Sequence, residues 1–258
     1  EKQQLIARLA REKRNHIHMM ESLARGRGEV LYAEEGAVLI YDSACRLCMA
    51  EAVAADEECS ARQADRQADR VPEETRTVLT SEAFLREAFA ERKYKVTGEY
   101  AQLLYTRKET LPMRHKNIRP LTPEDLSSRE ETPFMADFKA GRCFIGGDSA
   151  YQGRDYIGER IQTGNLYGAF ADDALIGCIV QHSEGHLGMP YIKAEEGKPE
   201  IGSSLMAYAV NRLLERGWTP YVQLPVENRK GAEFLESLGF YPAKKTIWCL
   251  EKVLANVT

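Results

Sequence analysis

The sequence predicts an α+β chain built on a mixed sheet and divided into two domains. Three observations carry that reading. Segments of alternating apolar and polar residues flank Glu35-Gly36, and again Asp172-Asp173, as antiparallel hairpins do. From residue 165 onward the pattern reads βββ-α-β-α-β, which implies one right-handed β-α-β crossover. Between these parts, "KETLPMRHKNIRPLTPEDL" places Pro112, Pro120 and Pro123 in a short polar stretch, as an interdomain linker would. Domains over 1–118 and 119–258 follow.

In the first domain, "QLIARLAREKRNHIHMMESLARG" repeats Leu5, Ile6, Leu9, Ile17, Met20 and Leu23 near a 3.6-residue period, and Gly26 supplies a stop. This is a helix, with His16 and His18 as exposed or capping groups. "EVLYAEEGAVLIYD" is the first hairpin. "SARQADRQADR", with its tandem RQAD, reads as a polar helix. "TVLTSEAFLREAFAERK" reads as a strand, then Ser81 as N-cap, then an amphipathic helix. "EYAQLLYTRK" is a further strand.

In the second domain a helix is expected to resume at Thr122, with Glu124 and Asp125 favourable in its first turn. The glycine-rich stretch around 140–155 reads as a loop over a site. "RDYIGERIQTG" is a short helix ended by Gly164. Strands are expected over 165–171, 174–183 and 187–194, turning at Asp172-Asp173 and Glu184-Gly185. "EEGKPEIGSSL" then leads into a helix beginning near Gly202, with Leu205, Met206, Ala209, Val210, Leu213 and Leu214 on one face. "TPYVQLPVE" is a strand, "NRKGAEFLESLGF" a helix closing at Gly239, and "KKTIWCLEKV" a last strand. Tyr208 and Asn211 are expected to face solvent or the domain junction, and Trp218 and Trp248 to pack at strand ends.

With 258 residues the chain can bury a sizeable core, and 43% hydrophobic and 29% charged residues are ordinary globular values. A net charge of −4 gives no general attraction to nucleic acid or anionic membrane, so neither is expected as a partner. No apolar run reaches the roughly 20 residues that span a bilayer, and the charged, periodic N-terminus is unlike a signal peptide. The expected location is cytoplasmic. Cys45 and Cys48 form one CxxC with no second ligand pair at metal spacing, so the six cysteines read as reduced thiols and no metal is expected.

The loop "EEGKPEIGSSL" has the order of an anion site: strand, turn, small residues, helix N-terminus. Together with "IRPLTPEDL", "GNLYGAFADDALIGCIVQHSEGHLG" and "TPYVQLPVENRKGAEFLESLGF", it resembles the GNAT superfamily of acyl-CoA-dependent N-acyltransferases over about 119–258. Asn228, eleven residues before Gly239, stands where that family has an asparagine opening the helix beside the cofactor. The whole chain also resembles two-domain bacterial members, in which residues 1–118 would be a degenerate GNAT-like half, giving tandem GNAT-like domains. The resemblance implies acetyl-CoA, or another acyl-CoA, as cofactor. Its pyrophosphate would lie on Gly197, Lys198, Ile201, Gly202 and Ser203, its pantetheine along Ile192, Lys193 and Ala194, with Asn228 beside it.

The resemblance implies transfer of an acetyl group to a primary amine by direct attack in a ternary complex. The acceptor would be a small molecule or a peptide, and a homodimer is possible in such families. The turn "HSEGH" offers His182, Glu184 and His186 where acceptor amines enter. Glu184 or His182 would be the base and Tyr241 the acid, since the family's tyrosine position holds Leu235. A polar, solvated hairpin is the plainer reading of that turn. The cofactor loop departs from Arg/Gln-x-x-Gly-x-Gly/Ala: Gly197 replaces the cation and Glu200 the first glycine, while Gly202 remains. These departures imply the rival reading, a catalytically inactive GNAT-like binding or regulatory module.

Overall fold

The computed structural model describes residues 2–34, 36–52, 57–126, 154–193 and 198–253. The glycine-rich stretch around 140–155 lies outside these residues but for its last few, and Ala194 and Gly197 lie outside them entirely. The chain forms two compact units: Glu1–Gln102 with Pro225–Glu227 and Pro242–Thr258, and Leu103–Leu224 with Asn228–Tyr241. This partition by contact differs from a cut after residue 118. The last strand belongs with the first unit, and the proline-containing stretch belongs with the second.

The first unit opens with helix α1 (Lys2–Leu9), a 3-10 turn over Ala10–Glu12, and helix α2 (Lys13–Ala24). The periodic segment is therefore broken, and His16 has non-helical angles inside α2 (φ −107°, ψ 16°). Gly26 ends the helix at φ 71°, and the Arg27 N–H closes back on the Ser22 carbonyl at 3.0 Å. His16 and His18 are buried, at 4% and 0% exposure, a correction to the exposed positions that their polarity suggested.

Strands β1 (Gly28–Glu34) and β2 (Ala37–Asp42) form the expected hairpin, followed by β3 (Leu47–Ala52), helix α3 (Glu57–Ala68), β4 (Thr77–Thr80), helix α4 (Ala83–Glu91) and β5 (Tyr94–Leu104). Strand β12 (Ile247–Lys252) enters this sheet between β4 and β5, antiparallel to both. The order is β1-β2-β3-β4-β12-β5, with β3 and β4 parallel across the α3 crossover. All six residues of β2 are buried, so both sheet faces are covered there. Ser81 does not cap α4: Glu82 is the N-cap residue, and Ser81 donates its N–H and hydroxyl to Glu51 at 2.9 and 2.6 Å.

In the second unit, β6 (Ile118–Pro120) and a 3-10 turn over Pro123–Leu126 precede helix α5 (Arg154–Gln162), β7 (Leu166–Ala171), β8 (Ala174–Val180) and β9 (Tyr191–Ile192). The sheet order is β6-β7-β8-β9, antiparallel throughout. Asp172 takes φ 51° in the β7–β8 turn, which a short polar side chain tolerates. The third strand is shorter than expected: Pro190, which has no N–H to give, stands between the Gln181–Leu187 bridge and β9.

Helix α6 (Pro199–Glu215) starts three residues before Gly202, because Pro199 occupies the first helical turn, where no intrahelical N–H is needed. Strand β10 (Tyr221–Pro225), helix α7 (Arg229–Ser237) and β11 (Tyr241–Pro242) follow. The proline-containing stretch is strapped to α6. Asn211 exchanges two hydrogen bonds with the Leu111 backbone at 2.7 and 2.9 Å, and Ser204 Oγ accepts from the N–H groups of Arg114 and His115. Asn211 is thus a tether, and Tyr208 packs edge-on against Tyr167 rather than facing solvent. No helix among the described residues is long and apolar enough to cross a membrane.

Candidate functional site

The turn after β8 is buried rather than solvated. His182, Glu184 and His186 are 2%, 0% and 5% exposed. A local ladder fixes the turn: the His182 N–H donates to the His186 carbonyl at 2.9 Å, and Gly185 bonds back to the His182 carbonyl with φ 113°. The two imidazoles stack with centroids 4.2 Å apart, and His186 Nδ1 is hydrogen-bonded to Glu184 Oε1.

Two residues that no sequence pattern singled out complete this cluster from helix α5. The Tyr156 hydroxyl lies 3.0 Å from His182 Nδ1 and accepts the Ser183 N–H at 3.2 Å. Arg160, 1% exposed, donates to the Gln181 carbonyl at 3.2 Å and is paired with Glu159. Tyr156 and Arg160 are four apart and share one helix face. From β10, Tyr221 donates to the Glu184 carbonyl at 3.3 Å.

Burial, then the neighbouring His186 and Arg160, holds the His182 pKa well below its ordinary value, so His182 is a neutral imidazole. Burial alone would lower the Arg160 pKa, but the Tyr156 hydroxyl and the Glu159 and Glu184 carboxylates raise it, and the guanidinium stays charged. A neutral, buried, hydrogen-bonded imidazole can accept a proton at neutral pH, which an imidazolium cannot.

Of the residues expected to hold a cofactor, Ile192, Lys193, Lys198, Ile201, Gly202, Ser203 and Asn228 are among the described residues. The chain ahead of β9 meets β10 at the parallel bridge Leu187–Val222, where the Leu187 N–H donates to the Tyr221 carbonyl at 2.8 Å. β9 is the last strand of its sheet among the described residues. The Lys193 N–H points inward to the Ile176 carbonyl at 2.9 Å, so the preceding Ile192 N–H points to the open edge. Gly202 faces Ile192: a β-carbon there would stand 3.1 Å from Ile192 Cδ1, so glycine lets helix and strand approach closely.

Lys198 is the N-cap of α6 and makes no side-chain cap, and the Ile201 N–H turns back to the Lys198 carbonyl at 3.0 Å. The Ser203 hydroxyl bonds within its own helix, to the carbonyls of Pro199 and Glu200 at 3.2 Å. Glu200 lies in the first turn, favourable to the helix dipole and adverse to a bound phosphate. Asn228 caps α7 by accepting the Gly231 N–H at 3.0 Å. Tyr241 is 42% exposed, and its hydroxyl accepts from Arg107 at 3.2 Å. Tyr241 therefore stands in a different environment from the buried turn.

No protein-family model matches the sequence, and no curated protein does. The structure is similar to solved ones. A protein from Novosphingobium aromaticivorans assigned to the GNAT acetyltransferases matches with TM-score 0.58 and 13% identity, over 94% of this chain and 98% of that one. A GCN5-related N-acetyltransferase from Kribbella flavida gives 0.57 and 12%, over 95% and 97%. One from Sphaerobacter thermophilus gives 0.53 and 13%, over 96% and 91%. At such identities the likeness establishes the fold.

Proposed function

From the premise that this chain has the GNAT fold, we propose that it is an acyl-CoA-dependent N-acyltransferase that moves an acetyl group from acetyl-CoA to a primary amine. One observation carries the proposal. β9 is the last strand of its sheet among the described residues, so the Ile192 N–H faces its unpaired edge, with Gly202 at the head of α6 beside it. An amide-bearing chain such as pantetheine adds to a free strand edge by main-chain hydrogen bonds, and a pyrophosphate suits a helix N-terminus. The open edge and the close Gly202–Ile192 approach fit such a group. Ile192 and Lys193 would flank its amide chain and Lys198, Ile201 and Gly202 its phosphates, with Ala194, Gly197, Ser203 and Asn228 alongside.

Bound acyl-CoA supplies an activated thioester carbonyl. The amine nitrogen bonds to that carbon, the carbon–sulfur bond breaks, and the ammonium proton leaves to a base. The buried turn supplies the base. Glu184, hydrogen-bonded to His186 Nδ1, is the first acceptor. His182, neutral and oriented by Tyr156, is the second acceptor, reached directly or through a water. The Ile192 N–H would stabilise the developing oxyanion, and Tyr241 would protonate the thiolate. Residues 1–118 are read as a degenerate GNAT-like half, in keeping with matches that span both chains almost fully.

Calorimetric titration with acetyl-CoA tests the proposal. Saturable binding at micromolar to low millimolar cofactor is expected, and no binding at millimolar concentration rejects it. Glu200 in the first turn favours one other reading, a GNAT-like binding or regulatory module without catalysis. On that reading no CoA ester would raise the melting temperature.

A further inference from the structure

In the first unit, Arg11, Lys13, Arg14, Lys244 and Lys245 line one open cavity of about 610 Å³, against a single acid on its wall, Glu12. All six are exposed to solvent. Lys245 is paired with Glu82 at 2.6 Å. The side chains of Arg11, Lys13, Arg14 and Lys244 make no ion pair or hydrogen bond among the described residues, and Glu12 is bonded to the Asn15 amide at 3.0 Å. The chain as a whole carries −4, so four uncompensated cations on one cavity run against its general charge.

The fold assembles this cluster from distant parts of the chain. Asn15 is 229 and 230 positions from Lys244 and Lys245, and its Oδ1 accepts both their N–H groups at 3.2 Å. Its backbone carbonyl accepts the Gln102 amide at 3.0 Å, and the residue is 6% exposed. Asn15 thus holds the 244–245 backbone against the start of α2. At the other end of the segment, His16 Nδ1 donates to the Leu9 carbonyl at 3.4 Å and pins the entry to the 3-10 turn. Walls fixed in advance lower the ordering cost of binding.

We propose that this cavity binds a small anion of several charges, an oligophosphate, whether free or as the anhydride chain of a nucleotide. Arg11 and Arg14 offer guanidinium forks that match phosphate oxygens in geometry. Lys13 and Lys244 add charge without demanding a fixed approach. A cavity of this size suits a small molecule. Ala10 is the only apolar residue on the wall among the described residues, so a stacked base or an apolar body finds no support there. A singly charged anion would leave most of the cations unmatched.

Protein-detected NMR titration of the full chain tests the proposal, with tripolyphosphate, adenosine triphosphate, inorganic phosphate and benzoate as probes. Affinity is read from the amide signals of residues 11–15 and 244–245, so that occupation of the α6 head is not counted. At about 0.1 M salt, tripolyphosphate is expected to saturate these signals with a Kd of about 1 mM or tighter. Inorganic phosphate and benzoate should bind at least about tenfold more weakly, and adenosine triphosphate within about tenfold of tripolyphosphate. Arg11→Gln/Arg14→Gln should weaken tripolyphosphate at least about tenfold, and Lys244→Gln at least about threefold. Lys95→Gln, which removes an exposed charge opposite Glu251, should leave the affinity within about twofold. No saturation of these signals below about 1 mM overturns the proposal, as do shifts confined to residues 198–203. So does unchanged affinity in the folded Arg11→Gln/Arg14→Gln protein, or an equal loss in Lys95→Gln and Lys244→Gln. Adenosine triphosphate binding more than about tenfold tighter than tripolyphosphate, or benzoate binding equally well, overturns the ligand class.

Discussion

The hydroxyl of Tyr156 stands 3.0 Å from Nδ1 of His182, tying helix α5 to the turn that follows β8. The same oxygen accepts the buried Ser183 N–H. Tyr156→Phe removes the hydroxyl to which both buried groups are bonded. Urea denaturation should show a loss of about 1–3 kcal/mol. A change under a few tenths would mean that water replaces the hydroxyl.

Glu184 orients His186 through the Nδ1 bond. Glu184→Gln keeps the shape but not the charge, and acetyl transfer should fall by about 10²-fold in kcat, with KM for acetyl-CoA little changed. A Glu184→Gln/His182→Ala double variant that keeps full transfer would remove the base from this turn.

Glu200 sits where a pyrophosphate would meet the head of α6. Glu200→Gln should tighten acetyl-CoA binding several-fold, read by calorimetry, while costing about 0.3–1 kcal/mol of helix stability. Unchanged affinity would place the phosphates away from this helix end.

Asn228 is the sole side-chain cap recorded at the start of α7. Asn228→Ala should lower unfolding stability by about 1 kcal/mol, visible as a shift in the urea midpoint. Its effect on cofactor affinity separates capping from contact: a pure cap leaves Kd unaltered.

In the first unit, Glu51 and His18 face each other at 3.8 Å, both fully buried. Burial pushes the Glu51 pKa from 4.5 up to about 8, and that of His18 from 6.5 down to about 3, so both are neutral near pH 7. Glu51 adds stability that is complete below pH 4.5 and lost as pH rises through about 8. His18 acts oppositely: its stability is present above 6.5 and lost as pH falls through about 3. Glu51→Gln should therefore flatten the decline between about pH 5 and pH 8 in denaturation series, leaving the acid limb. Parallel curves for variant and parent would refute this.

Elements with a local signature were legible in the sequence: the β1–β2 hairpin, the Asp172 turn, the stop at Gly26, and the apolar face of α6. Each is encoded within a few neighbouring residues. Positions decided by distant partners were not. Ser81 reads as a cap because serine often caps, but the buried Glu51, thirty residues earlier, claims both its donors. His16 and His18 look like surface residues until the sheet covers them. The turn at 182–186 was found as a cluster, yet its burial and its partners Tyr156 and Arg160 come from another helix, whose spacing carries no chemical signature. The helix expected from near Gly202 starts instead at Pro199, whose missing N–H costs nothing in a first turn.

Strand β12 joins β4 to β5, although Cys249 is 152 positions from its neighbour Thr97. Synthesis runs in one direction, so a nascent chain must expose the edges of β4 and β5 until everything between has emerged. Two unpaired edges over so long a wait invite pairing with other chains. Production of this protein should therefore depend on the cell's holding factors, and supplying the 242–258 segment as a separate peptide to a truncated chain offers a way to close the sheet on demand.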